Sequence, residues 1–203
     1  MKNRTNIRWL TQLALLVAIL LVLNYTPLGY LQIGPLSASL LTVPVAIGAM
    51  TMGPTAGAIL GGVFGATSFI QALEGKSAMG SALFQVSPFG TFVVCFVARV
   101  LVGLCAGLIF KALCKALPKK EKLCCVIGAI CTPVLNTVFF MGFLVLFFYN
   151  CDYVQNLAQT LGATNAFMFI VLLVGVQAVI EWLICGVVAS AVTLPVRKYL
   201  KLN

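Results

Sequence analysis

Apolar residues in this chain come in long unbroken runs that short polar clusters merely punctuate. That is neither the alternation of a half-buried strand nor the single stripe of a surface helix. The runs extend roughly from Trp9 to Tyr25, Ser37 to Met50, Pro54 to Leu73, Pro88 to Leu117, Leu123 to Tyr149 and Ala166 to Val196. At about 20 apolar residues per membrane crossing, they predict an all-α integral membrane fold of six transmembrane helices, one domain over residues 1–203. The second run is short and contains Pro44, which is expected to kink it. Pro27 to Pro35 reads as an uncharged loop, Met52-Gly53-Pro54 as a turn, and Glu74 to Ser87 and Asn150 to Asn165 as longer polar connections.

The third run carries a second period. Gly53, Gly57, Gly61 and Gly65 recur every four residues, with Ala58, Gly62 and Ala66 beside them. Residues at i and i+4 share a helix face, so this run presents a ribbon of bare backbone. In water each interior glycine would cost about 1 kcal/mol against alanine. In a bilayer, small residues let neighbouring helices approach closely. The run is therefore expected to be a central helix with others pressed against it.

Charge adds orientation. The chain is 62% hydrophobic and 8% charged with a formal net charge of +9. Eleven of its thirteen Lys and Arg lie in three places: before the first run (Lys2, Arg4, Arg8), after the fourth (Lys111, Lys115, Lys119, Lys120, Lys122) and after the sixth (Arg197, Lys198, Lys201). With six crossings these all fall on one side, and the positive-inside rule makes it the cytoplasm, with both termini there. The excess charge is thus orientation and compatible with anionic lipid; it is not the single basic face of a nucleic-acid binder. The first run resembles a signal peptide, but no small-residue cleavage site follows it and it is read as a helix.

Several chemistries lack their residues. There is no histidine, which removes Ser-His nucleophiles and HExxH metal sites. All cysteines except Cys151 sit in or beside apolar runs, none in a CxxC pair, and they read as small packing residues; no metal and no cofactor is expected. Gly75-Lys76-Ser77 resembles the end of a phosphate-binding loop, but position 70, where its leading glycine belongs, is Ile70. No catalytic residue is expected.

Two charged residues lie deep in apolar runs, Arg99 and Glu181, and intramembrane charge is by default a functional-site hypothesis. At about 1.5 Å per residue, Arg99, Asn136, Gln177 and Glu181 fall roughly 16–22 Å from the outer ends of their helices. Gln177 and Glu181 share a face, four residues apart. Three helices therefore bring four polar side chains to one depth. An outward-open pocket for a small polar ligand would use them as follows. Arg99 offers a bidentate fork to a carboxylate, Asn136 and Gln177 donate and accept, and Glu181 orients Arg99 or accepts from a hydroxyl. The alternative is an Arg99–Glu181 ion pair that only locks two helices, with Asn136 as interhelical glue.

The chain resembles the substrate-binding S components of energy-coupling factor (ECF) vitamin transporters. The resemblance lies in the six-run layout with basic ends. It lies also in Ala14-Leu15-Leu16-Val17-Ala18, Ile33-Gly34-Pro35, Pro44-Val45-Ala46-Ile47-Gly48-Ala49 and Gly53-Pro54-Thr55-Ala56-Gly57. Leu135-Asn136-Thr137-Val138 and Phe64-Gly65-Ala66-Thr67-Ser68 resemble the pantothenate-type branch, although Thr132-Pro133 departs from it. The resemblance implies a vitamin-binding subunit of a bacterial cell membrane, working with a transmembrane coupling subunit and two cytoplasmic ATPases. It also implies a docking face at Ala14 and Ala18, a lid over Glu74 to Ser87, and Thr67 among the substrate-binding residues. Pantothenate, with a carboxylate, an amide and two hydroxyls, matches Arg99, Asn136 and Gln177. Riboflavin, folate or thiamin would call for aromatic partners such as Phe139, Phe140 or Trp182. Outside the family, the alternatives are a membrane scaffold, an intramembrane enzyme, for which no nucleophile–base pair is visible, and a channel, for which the polar lining is too sparse.

Overall fold

The structure, a computed structural model, describes the backbone of residues 2–26, 29–33 and 36–200, and their side chains except at 2–6, 30–38, 176 and 200. In chain order come α1 (Lys2–Tyr25), β1 (Tyr30–Ile33), β2 (Leu36–Ser39), α2 (Thr42–Met52), α3 (Pro54–Leu73), α4 (Ala78–Val86) and α5 (Pro88–Phe92). A π-helical turn, Val93–Val97, leads into α6 (Ala98–Ala116), followed by α7 (Glu121–Phe148), α8 (Asp152–Thr160) and α9 (Ala166–Leu200). Among the described residues, five stretches are long and apolar enough to cross a membrane: Ile7–Tyr25, Pro54–Leu73, the continuous Pro88–Ala116, Glu121–Phe148 and Gln177–Tyr199.

The second run departs from expectation. Its helix begins at Thr42, and residues 36–39 are instead a strand paired antiparallel with 30–33, Tyr30 opposite Ser39 and Ile33 opposite Leu36. With 11 residues, α2 is about 16 Å long, about half the hydrocarbon thickness. The late start also removes the expected kink. Pro44 falls in the first turn of α2, where its missing N–H would have had no intrahelical partner. Of the expected loop over Pro27 to Pro35, Pro27, Leu28, Gly34 and Pro35 lie outside the described residues, as does Lys201.

The two longer polar connections are helical too. Ser77 caps α4 by accepting from the Gly80 N–H at 3.1 Å. Ser87 caps the next helix through the Gly90 N–H at 3.2 Å, with Pro88 at its first position. In α8, Val154 and Ala158 are buried in a core cluster with Leu83 of α4 and Met141, Leu144, Phe169 and Leu173 of α7 and α9. At the opposite, basic end a second cluster joins α2, α6, α7 and α9 through Met50, Phe110, Cys124, Cys125 and Cys185. A third seats α1 on α2 and α3 through Leu13, Leu20, Val45 and Leu60.

The glycine period works as a seam. Gly53 makes the expected turn between α2 and α3 at φ 94°. From Gly57 on, α3 lies backbone to backbone against the helix that holds Arg99. A Cβ on Gly57 would strike the Gly103 carbonyl, one on Gly61 the Arg99 carbonyl, and one on Gly65 the Cα of Phe96. Gly103 and Gly107 return the contact, against Gly57 and Pro54.

Candidate functional site

Beside that seam, α6 faces a cavity of about 210 Å³. Arg99, Asn136, Gln177 and Glu181 all line it, together with Ser39, Phe64, Ser77 and Phe140 among others. The four residues expected at one depth are thus brought together, from α6, α7 and α9. Thr67 is not. It is buried, 5% exposed, and its hydroxyl donates to the Phe64 carbonyl one turn back at 2.9 Å, so it is absent from the lining. A larger depression of about 480 Å³ lies between the end of α4 and the start of α8, lined by Gln85, Asn150, Asp152 and Tyr153 among others. It is open to the surface and shares none of the deep polar residues.

Arg99 is held rather than loose. It follows the π turn, whose i→i+5 spacing departs from the usual helical ladder. Its Nη1 donates to the carbonyls of Val94 at 3.3 Å and Cys95 at 3.0 Å. The guanidinium carbon lies 4.5 Å from the centre of the Phe64 ring and 5.0 Å from that of Phe140. Two aromatic faces and two carbonyls therefore fix a permanent cation in an apolar bundle, where cation–π attraction is strengthened by desolvation.

Glu181 is 5% exposed. Its Oε1 accepts from the Thr42 hydroxyl at 3.3 Å, the backbone of Ser39 also bonds it, and Arg99 is close enough to attract it. Two side-chain atoms of lining residues, Ser39 Oγ and Asn136 Oδ1, are buried with no hydrogen-bond partner among the described residues. Buried polar groups are normally satisfied, so these two mark where a polar ligand could bond. The cavity therefore brings together a guanidinium, a carboxyl group and two amides, with the hydroxyl residues Ser39, Ser77 and Thr137, among apolar side chains.

Of the aromatics considered for ring recognition, Phe139 and Trp182 do not line the cavity, and Phe140 does, with Arg99 over its ring. Sequence reasoning missed Ser39 and Thr42 because the run from Ser37 was read as helix, and missed Phe64 because it sits within the glycine period. The spacing of Val93–Val97 carries no sign of a π turn. Ser77 had a signal, since a serine opening a helical stretch is a capping residue.

Elsewhere, Ala14 and Ala18 of α1 are exposed, among exposed Ile7, Leu10, Leu15 and Val22. Arg197 bridges the basic end, its Nε donating to Glu121 at 2.9 Å and its Nη1 to the Met50 carbonyl at 2.9 Å.

Residues 8–193 match the family described as ECF transporter, substrate-specific component. The chain belongs to this family. Membership makes it a transport protein and not an enzyme, and with its apolar helices a multi-pass membrane protein. It is also similar to the pantothenate transporter PanT of Leuconostoc mesenteroides subsp. mesenteroides, 33% identical over 112 residues, 53% of this chain and 52% of that one. The match thus spans about half the length of this curated relative.

Proposed function

We propose that this ECF substrate-specific component captures pantothenate from outside a bacterial cell membrane. The observation that carries the reading is the donor set of the cavity: a fixed guanidinium, two amides and a carboxylate around about 210 Å³. That volume lies below the ~300–1,000 Å³ typical of drug-sized ligands. It suits a short chain with a carboxylate, an amide and hydroxyls better than the ring systems of riboflavin or folate. The likeness to a pantothenate transporter supports the same substrate.

In this reading Arg99 takes the ligand carboxylate, and Asn136 and Gln177 take its amide and hydroxyl groups. The chain crosses the bilayer six times with both termini cytoplasmic, the strand pair and α2 completing the sixth crossing. Irregular backbone is tolerated at membrane depth where it lines a cavity, and Ser39 does. The helix α4 covers the entrance, with Ser77 and Met79 reaching the lining. Delivery requires a transmembrane coupling subunit and a pair of cytoplasmic ATPases, and the exposed Ala14 and Ala18 form the face on which the coupling subunit seats.

The test is calorimetric titration of detergent-purified protein with pantothenate, beside Arg99→Met. Removing one partner of a desolvated charge pair costs about 2–5 kcal/mol. Saturable binding is therefore expected in the parent and none at the same concentrations in a variant that elutes as folded protein. Absence of binding to the parent removes the substrate; equal binding to both removes Arg99.

A further inference from the structure

The cavity carries the Arg99 guanidinium from one helix and the Glu181 carboxyl group from another. A ligand carboxylate placed beside Glu181 meets like charge, and a hydroxyl does not. An ionised carboxylate only accepts hydrogen bonds, at about four lone-pair positions. The Thr42 hydroxyl, at the start of α2, fills one of these, and the Ser39 backbone just before it lies close by. Ser39 lines the cavity too, and its Oγ is buried with no partner among the described residues. A ligand hydroxyl both donates and accepts. It can donate to the remaining positions of Glu181 and accept from Ser39 Oγ.

We infer that Ser39 and Glu181 form a hydroxyl-reading subsite and that Thr42 is the residue that positions it. The inference rests on the pantothenate reading and deepens it: the two hydroxyls lie at the Glu181 end and the carboxylate at the Arg99 end. Thr42 is placed to act through Glu181. It is 1% exposed and absent from the lining, and its hydroxyl lies 3.1 Å from the Ser39 carbonyl and 3.3 Å from Glu181 Oε1. Its one hydroxyl proton is shared between these two acceptors, which joins the end of β2 to α9 beside the cavity. A hydrophobic residue of the same size there would remove the hydroxyl that joins Glu181 to the Ser39 carbonyl.

The experiment is titration of the purified full chain with two probes, pantothenate and its analogue lacking both hydroxyls. The proteins are the parent, Ser39→Ala, Thr42→Val and Thr42→Ser. Ser39→Ala and Thr42→Val are each expected to weaken pantothenate about tenfold, the worth of one hydrogen bond. Neither should change affinity for the analogue, and Thr42→Ser should restore the parent value. Equal weakening of both probes would mean that these residues only support the fold, and undiminished pantothenate binding would mean that the hydroxyls are read elsewhere; either result overturns the subsite. Should Thr42→Val fail to fold, Ser39→Ala, at the cavity edge of the strand pair, decides the question. If only the subsite is wrong, pantothenate binding and its loss in Arg99→Met survive. If the parent binds no pantothenate, the substrate reading and the subsite fall together.

Discussion

One helix shows two opposite ways of using a membrane interior. On one side α6 lies against α3 with nothing between the backbones, because Gly57, Gly61, Gly103 and Gly107 carry no side chain to hold them apart. At the level of Arg99 a cavity opens beside the same helix, bordered by Phe64, Phe140 and the Arg99 side chain. The seam has no polar side chain to satisfy and gains from dispersion and lipid release. The cavity concentrates the deep charges and leaves some polar atoms waiting. A stiff wall is what permits an open neighbour: residues lining a cavity hold position only if the elements that carry them are fixed elsewhere.

Filling the seam should give the largest effect. Gly103→Leu is expected to abolish the folded monomer in size-exclusion chromatography, exceeding the about 1–3 kcal/mol of ordinary overpacking because backbone is what it meets. Gly142→Leu, where an added Cβ meets nothing within 4 Å, should elute normally. Equal tolerance of both would end the distinction between seam and open surface.

A second set of small residues sharpens it. Ala14 and Ala18 have small side chains like the seam, but they are exposed on a helix that the bundle barely covers. Ala14→Leu is expected to leave pantothenate titration unchanged and to reduce uptake in cells to background. Loss of binding with normal uptake would place α1 with the cavity instead.

Smaller again is the basic end. Arg197 ties α9 to α2 and α7 and stacks 5.0 Å from the Phe110 ring centre, with its side chain 11% exposed. Arg197→Leu leaves the Met50 carbonyl without this donor, and should lower thermal stability by about 1–3 kcal/mol without altering ligand affinity. Glu121→Gln, at a side chain 44% exposed, should cost less.

Least of all should come from the turn before α4. The exposed Lys76 lies 2.6 Å from Glu74, and that bond holds its ammonium above the ordinary value of 10.5. Whatever the pair contributes is present below that value and is lost as pH rises past it. Solvent screens such pairs, so Lys76→Met should produce no measurable change in melting temperature or affinity at neutral pH.

Much of the fold was legible because a bilayer permits few solutions. Long apolar runs must be helices, and the i+4 glycines of α3 had to meet something close. Arg99, Asn136, Gln177 and Glu181 were legible as lining residues because polar groups at one depth have strong reason to find each other. Thr67 was not, since nothing local says whether a buried hydroxyl faces a cavity or bonds its own helix. The strand pair and the helical form of the connections at α4 and α8 were hidden for a similar reason. A four-residue strand and a nine-residue helix are too short to form by themselves and exist through what they pack against.

The sequence by itself determined that this is a membrane bundle, where its apolar helices run, and which polar residues lie deep within them. Those follow from transfer free energies and helix geometry, which act residue by residue. Only the tertiary structure decided which backbone Gly57 meets, that Arg99 sits between two phenylalanines just after a π turn, and that Ser39 and Thr42 come to Glu181. These depend on distances between segments far apart in the chain, up to 139 residues for Thr42 and Glu181, which packing alone sets.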